Sequence, residues 1–509
     1  MFAKIKSMGL LGADGFMVDV EADLSQGLPG FDVVGLPGAA VRESRDRVRA
    51  AMKNSGFSYP VSRITVNLAP ADIRKEGSVY DLPLLLALLI ASGQMKACVD
   101  DCVFLGELSL TGEVRGVPGV LPMIMAARDN GVKRAFIPAD NAAEGAVVDG
   151  IRVYPVSTLS DLLEHLAGHT VLQPLEPVGF QPGQEPGVPD FADVMGQTAA
   201  RRALEIAAAG AHNVLLIGPP GSGKSMLAKR LPSILPDMTR QEALETTKLH
   251  SVAGTLPGGV GLLRSRPFRA PHHNISAPGL AGGGSVPRPG EVSLAHNGVL
   301  FLDELPEFSR QAMECLRQPL EDHQVTISRV SASLSYPCSF TLVAAMNPCP
   351  CGYFGHPTRR CTCSAAAAQR YLSRVSGPLL DRIDLHIEVP PVEFEQLASK
   401  SPGESSASIR KRVNRARAVQ RERFTGTGLL CNSQIPSHLL KDLCPLTEGA
   451  QKLLKNAFSL MGLSARAYDR LLKVSRTIAD LAEQEIIDST HVAEAVQYRS
   501  LDRKYWQTR

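Results

Sequence analysis

Along the first 170 positions the apolar residues fall into two kinds of run. Segments such as FMVDVEADL, SRITVNLAP, CVFLGELSL and RAFIPA read as strands, while GAAVRESRDRVRAAMKNS and DLPLLLALLIASG read as helices. Residues 171–190 (VLQPLEPVGFQPGQEPGVPD) are rich in proline and glycine and hold neither period, which marks a linker. Strands and helices then alternate to about Pro391, as a parallel α/β domain requires. Residues 400–426 are Ser/Gly-rich and then strongly basic. From Thr447 the apolar positions Leu453, Leu454, Ala457 and Phe458, then Leu471, Leu472, Val474, Ile478 and Leu481, recur at helical spacing. No sequence repeat is visible. The expected fold class is α/β, with a domain over 1–170, a linker over 171–190, a parallel-sheet core over 191–395, and over 396–509 a basic helix followed by a small helical domain.

Chemistry enters at NVLLIGPPGSGKSMLAKRL, where an apolar strand runs into Gly218, Pro219, Pro220, Gly221, Ser222, Gly223, Lys224 and Ser225 and a helical pattern follows. A glycine-rich turn between strand and helix lets backbone N–H groups curl around phosphates. Lys224 then reaches the β- and γ-phosphates of ATP, and Ser225 holds Mg²⁺ at the helix start. A second apolar strand, GVLFLDEL, ends in Asp303 and Glu304, 79 residues beyond Lys224. Asp303 is expected to support the metal and Glu304 to orient and deprotonate the attacking water. A solvated acidic loop is the plainer reading of the pair, but it leaves that placement unexplained.

A third apolar strand, FTLVAAMNP, ends in Asn347. An amide there can simply form a turn, or, set between the acidic strand and the phosphate loop, it can sense the γ-phosphate and help place the water. This order of strand ends distinguishes the AAA+ class of ATPases, whose sites are completed by a neighbouring subunit. Arg382 in GPLLDRIDLHIEV is the expected arginine supplied in trans. Arg374 in YLSRVSG is its rival, and a surface pair with Asp384 its plainer reading. Arg466 in LSARAYDRLLKVSRTIADL opens a helix from which a lid could reach the γ-phosphate, or else it lies on a surface helix.

Directly after Asn347, the stretch MNPCPCGYFGHPTRRCTCS packs four of the ten cysteines into fifteen positions. Cys349, Cys351, Cys361 and Cys363 form two Cys-x-Cys pairs that can converge on one tetrahedral Zn²⁺, with His356 as a possible substitute ligand. Four separate thiols or a redox pair are the alternatives. The N-terminus shows no signal-peptide pattern, and the longest apolar run, Leu82–Ile90, is too short to span a bilayer. A soluble, cytoplasmic protein with thiols or metal ligands is therefore expected, in preference to disulfides.

A net charge of +3 neither demands nor excludes a nucleic-acid partner, so the distribution of charge matters more. SIRKRVNRARAVQRERF carries Arg410, Lys411, Arg412, Arg415 and Arg417 among seven basic residues, with one acidic. It is either a phosphate-binding face for DNA or a solvated helix face. The Gly/Pro-rich stretch 251–290 holds Arg264, Arg266, Arg269, His272, His273 and Arg288, and the segment DHQVTISRVSASLSYPCSF holds Arg329. Aromatic residues are only 5% of the chain, which disfavours base stacking and favours backbone tracking with little sequence preference.

The strings GPPGSGKSMLAKRLPSILP, RPFRAPHHNIS, GGGSVPRPGEVSLAHNGVLFLDELPEF, MNPCPCGYFGH and RYLSRVSGPLLDRIDLHIEV together resemble the ComM/YifB family of magnesium-chelatase-like AAA+ ATPases, over nearly the whole chain. The resemblance implies a Lon-protease-like N-terminal domain, an AAA+ core whose insertion faces a central channel, a helical C-terminal lid domain and a homohexameric ring. It also implies a DNA helicase driving branch migration during natural transformation. By the same likeness the stretch DVMGQTAARRALEIAA packs Val194, Met195, Gly196 and Gln197 on the adenine. Against the Lon string K-D-G-P-S-A-G the chain reads Lys75-Glu76-Gly77-Ser78-Val79-Tyr80-Asp81, so Val79 stands at the nucleophile's place, and the lysine base's place falls near Leu121. Peptide cleavage is therefore not expected. A chelatase-type motor remodelling a protein partner is the alternative to the DNA motor, and a Lon-like ATP-dependent protease a weaker one.

Overall fold

The computed structural model describes residues 1–183, 187–284, 287–328, 333–356, 358–391, 403–501 and 505–506. The chain forms two compact units, the first mainly Met1–Gln181 with the segment Arg240–Leu263, the second built on Pro182–Thr239, Arg264–Ile327 and the chain from Tyr336 onward. Among the described residues no helix is long and apolar enough to cross a membrane.

In the first unit a four-stranded sheet runs β1 (Phe2–Leu11), β2 (Asp14–Ser25), β4 (Arg63–Ala69), β3 (Gly30–Val34), with β3 and β4 parallel and the other pairs antiparallel. Alternation sends Ile5, Val18, Val20, Ile64, Val66 and Leu68 into the core. Helix α1 (Ala39–Asn54) is amphipathic, whereas α2 (Asp81–Ala91, DLPLLLALLIA) is apolar all round and almost wholly buried, as such a helix must be. Its one charge, Asp81, is fully buried and is tolerated because Arg47 of α1 pairs with it at 2.6 Å. A second, parallel sheet has the order β5 (Cys102–Phe104), β6 (Arg134–Pro138), β7 (Arg152–Val156). The helix Arg240–Ala253 packs on α3 (Val120–Asp129) within this unit, although it follows the phosphate loop in sequence.

The second unit is organised on a five-stranded parallel sheet. Its strands are β8 (Val214–Ile217), β9 (Phe268–Arg269), β10 (Val299–Leu302), β11 (Thr341–Met346) and β12 (Leu385–Glu388), in the order β9-β10-β11-β8-β12. Every residue of β8, β10 and β11 is buried, which is why these strands read as unbroken apolar runs. Because β11 lies between β10 and β8, the strand ends bring Asp303, Asn347 and Gly218 side by side. Helices α4 (Thr198–Gly210) and α5 (Lys224–Arg230) flank β8, and the helical C-terminal part comprises α6 (Ser406–Arg423), α7 (Glu448–Met461), α8 (Ala465–Leu481) and α9 (Ser489–Gln497).

Candidate nucleotide site

The turn after β8 is shaped by its glycines. A Cβ on Gly218 would lie 2.3 Å from the carbonyl oxygen of Val389, and Gly223, at φ +91, takes the left-handed turn that launches α5. Lys224 is buried and donates to the carbonyls of Gly218 at 2.8 Å and Pro219 at 2.9 Å, and to Oδ1 of Asn347 at 3.2 Å. Burial pushes its pKa below the ordinary lysine value, while Asp303 and Glu304 pull the other way. Ser225 Oγ donates to Asp303 Oδ2 at 2.6 Å, so the two expected metal supports already touch.

Glu304 follows in an unusual backbone conformation, φ +54, and its side chain is half-exposed. One of its carboxylate oxygens lies 3.4 Å from Nδ1 of His273, whose ring packs on that of His272 with centroids 4.1 Å apart. Val194 is fully buried, and Gln197 donates to the carbonyl of Pro390 at 2.6 Å and that of Ser222 at 3.4 Å. The segment with Met195 and Gly196 is thereby tied to the phosphate loop and to the end of β12.

The three arginines differ. Arg382 is 5% exposed and is held inside its own chain by the carbonyl of Pro378 at 2.6 Å and by Glu321 at 2.5 Å. Its rival Arg374 is exposed and pairs with Glu307 at 3.0 Å. Arg466 opens α8, is 65% exposed, and lies 4.0 Å from the same Glu321.

Profile comparison matches residues 190–397 to "Magnesium chelatase, subunit ChlI", 20–141 to "Subunit ChlI of Mg-chelatase" and 403–499 to the ChlI C-terminal region. "Competence protein ComM" of Haemophilus influenzae is 45% identical, with 98% of each chain covered. YifB of Escherichia coli is 44% identical over 98% of this chain and 97% of its own. The chain belongs to the ComM/YifB family of magnesium-chelatase-like proteins. Lon protease of Mycolicibacterium smegmatis is 26% identical over 31% of this chain and 21% of its own.

In this ComM/YifB chain the residues at the Lon positions are built into the core. Val79 and Leu121 are buried, Lys75 is fully buried with Nζ on the carbonyl of Ile73 at 2.8 Å, and Ser78 donates to Glu107. The four sulfurs of Cys349, Cys351, Cys361 and Cys363 all lie within 4.8 Å of one another, with Cys349–Cys351 at 3.4 Å, Cys351–Cys361 at 3.5 Å and Cys349–Cys361 at 3.7 Å. Burial pushes the Cys349 thiol up to about 12, whereas the backbone N–H of Tyr353 draws Cys351 down to about 5.

Much of the basic surface is engaged within the chain. Arg266 donates to the carbonyls of Pro236 at 2.6 Å and Asn297 at 2.8 Å, and Arg269 grips Glu291 through two bonds of 2.7 Å. On α6, Arg412 pairs with Glu205 and Glu404, Arg415 with Glu483, and Arg417 donates to the carbonyl of Leu430. Arg410 and Lys411 on the same helix make no hydrogen bond or ion pair among the described residues. Arg329 lies outside the described residues. Sequence reasoning missed the acidic partner Glu321 and the contact of His273 with Glu304. No local pattern marks the first, and the second is visible only once β9 and β10 are known to be neighbours.

Proposed function

We propose that the chain is an ATP-hydrolysing motor that assembles as a homohexameric ring and acts on branched DNA, as a branch-migration helicase serving recombination in natural transformation. The observation that carries the ATPase reading is the contact set joining Lys224 to Asn347 and Ser225 to Asp303, with Glu304 beside them. The DNA reading is supported by the likeness to a protein named for competence.

The residues fit ATP and Mg²⁺: a glycine turn that a Cβ would block, an ammonium at its base, and a hydroxyl–carboxylate pair of the hard-oxygen type Mg²⁺ takes. Ser225 and Asp303 would hold the ion. Mg²⁺, when bound, neutralises charge on the β- and γ-phosphates. Lys224 exchanges its bonds to the Gly218 and Pro219 carbonyls for phosphate oxygens. Asn347 keeps its bond to Lys224 and presents its amide N–H toward the γ-phosphate and the water. Glu304 accepts the water's proton as its oxygen attacks the γ-phosphorus and the bond to the β–γ bridging oxygen breaks, the electron pair leaving with ADP. The positive charge of Lys224, with Arg466 from the lid and Arg382 supplied by a neighbouring subunit, offsets the charge that builds on the phosphoryl oxygens.

The cysteine cluster is read as a Zn²⁺ site. Tetrahedral zinc with Zn–S bonds of about 2.3 Å needs sulfurs about 3.8 Å apart, close to the spacings found.

The test is ATP hydrolysis without DNA, with linear duplex and with a four-way junction, at low and high salt, with junction dissociation followed in the same reactions. Stimulation by the junction and dissociation that needs Lys224 support the motor. Equal hydrolysis on every DNA with no dissociation points instead to a chelatase-type motor on a protein partner, the reading favoured by the ChlI profiles. ATP-dependent peptide cleavage lost in Ser78→Ala would mark the Lon-like reading.

A further inference from the structure

The four-cysteine cluster touches the phosphate loop from behind. Cys349 is two residues beyond Asn347, the amide that binds Lys224. The strand end that carries both is fastened to the loop, because Gly218 N–H donates to the carbonyl of Met346 at 3.2 Å. The second fastening lies inside the cluster. Gly352, between the two cysteine pairs, closes a turn by donating to the carbonyl of Cys349 at 2.9 Å and adopts φ +84. It is buried so closely against the phosphate loop that a Cβ there would lie 2.4 Å from Cδ and 2.7 Å from Cγ of Pro220.

Among the described residues, the turn is held by its packing on Pro220, by the ring of Phe354 against that of Tyr505 at 6.3 Å, and by the four sulfurs. The loop beyond it is largely exposed, and the side-chain bonds within it are short-range: His356 Nδ1 accepts from the N–H of Thr358 and Arg359, and Arg359 donates to Tyr353. Cys361 and Cys363 return from that loop to meet Cys349 and Cys351. A metal at the four sulfurs would therefore fix the loop's two ends together and, through Gly352, fix the wall on which Pro220 rests. Without it the turn is less constrained, and the phosphate loop loses part of its backing at Pro220, while the bond from Gly218 to Met346 still joins it to the strand end.

We infer that a soft divalent cation of the zinc class, bound by Cys349, Cys351, Cys361 and Cys363, positions the phosphate loop through the Gly352–Pro220 contact, so that nucleotide affinity depends on the metal. This rests on the zinc reading of the cluster, and the two can fail separately. The cation takes no part in hydrolysis; it acts through backbone placement. Gly352 is thus a positioning residue.

The experiment uses the full chain, with zinc content measured by mass spectrometry and affinity for a fluorescent ATP analogue measured in excess Mg²⁺. Three states of the wild-type protein are compared: as purified, stripped with a zinc-selective chelator, and reloaded with Zn²⁺. Two variants accompany it, Cys361→Ser and Gly352→Ala, each checked for native circular dichroism. Stripping and Cys361→Ser are expected to weaken nucleotide binding on the order of tenfold, about 1.4 kcal/mol, with recovery on reloading for the wild type alone. Gly352→Ala is expected to retain its zinc and yet bind nucleotide comparably weakly, because its Cβ displaces Pro220 directly. Gly352→Ala thus reports whether the contact with Pro220 sets affinity, and the stripped and reloaded wild type reports whether the metal acts on it. Full affinity in zinc-free folded protein, or in Gly352→Ala, overturns the coupling. A folded wild-type protein that neither contains nor takes up Zn²⁺ overturns the metal reading itself.

Discussion

The carboxylate of Glu321 lies 2.5 Å from the guanidinium of Arg382, and the same carboxylate is 4.0 Å from that of Arg466. One acidic side chain thus stands between the two arginines assigned to the γ-phosphate, one on the segment before β12 and one on α8. Arg382 holds Glu321's pKa below the ordinary value of 4.5, with Arg466 adding to the effect. A depressed carboxylate contributes stability that is present above its unfolded value and lost as pH falls through the folded one. Because Glu321 is 47% exposed, solvent screening limits the contribution to about 1 kcal/mol. Glu321→Gln should lower the melting temperature at pH 7 by about 2 °C. The difference from wild type should shrink as pH falls below about 4.5, and calorimetry from pH 7 to 3.5 measures it. A constant gap across that range would mean the pair is not the cause.

Lys224→Ala and Glu304→Gln should separate binding from chemistry. Lys224 has two carbonyl acceptors waiting to be exchanged for phosphate oxygens, so its loss should abolish nucleotide binding in a fluorescence titration. Glu304 touches neither Lys224 nor Ser225 through its side chain in any bond described above. Glu304→Gln should therefore bind ATP normally while hydrolysis falls on the order of 10²- to 10⁴-fold. Loss of binding in Glu304→Gln would remove it from the role of base.

His273 should restrain that base. With its hydrogen on Nδ1 the imidazole points at the Glu304 carboxylate 3.4 Å away and competes with the water for a lone pair. His273→Ala should raise hydrolysis without DNA severalfold and reduce the ratio of DNA-stimulated to basal rate, leaving ATP affinity unchanged. An unaltered ratio would leave His273 as a bystander.

The parts of the site that read clearly from the chain are those written in consecutive residues. The phosphate loop spells out its own geometry from Gly218 to Ser225, and Asp303, Glu304 and Asn347 each mark the end of an apolar run. Their convergence needed only the order β10-β11-β8, which the succession of strand ends already implied. What could not be read depends on partners far away in sequence. Arg412 meets Glu205 from 207 residues away, and Arg415 meets Glu483 across 68. A row of basic residues on α6 therefore looked uniform although its members face different surroundings. The helix Arg240–Ala253 packs on α3 of the first unit, a placement that local periodicity does not encode.

That division among the basic residues of α6 yields the sharpest test of DNA contact. Arg410 and Lys411 have no partner among the described residues, so their charges are available to phosphates, whereas Arg412 is engaged by Glu205 and Glu404. If α6 tracks the backbone, Arg410→Ala with Lys411→Ala should weaken DNA binding for every sequence alike and reduce the slope of log affinity against log salt by about 2. Melting temperature should stay within about 1 °C of wild type, since surface substitutions away from structural contacts cost little. Arg412→Ala should do the reverse. It removes one of the two arginines on the buried Glu205, Arg202 remaining at 3.1 Å, and should lower thermal stability by about 1 kcal/mol while the salt slope stays as it was. The pair of results, read from one salt titration and one melting curve, would assign α6 as a DNA face carried by its unpaired members. A full salt slope in the double variant would instead leave α6 a solvated face and place any phosphate contacts elsewhere on the chain.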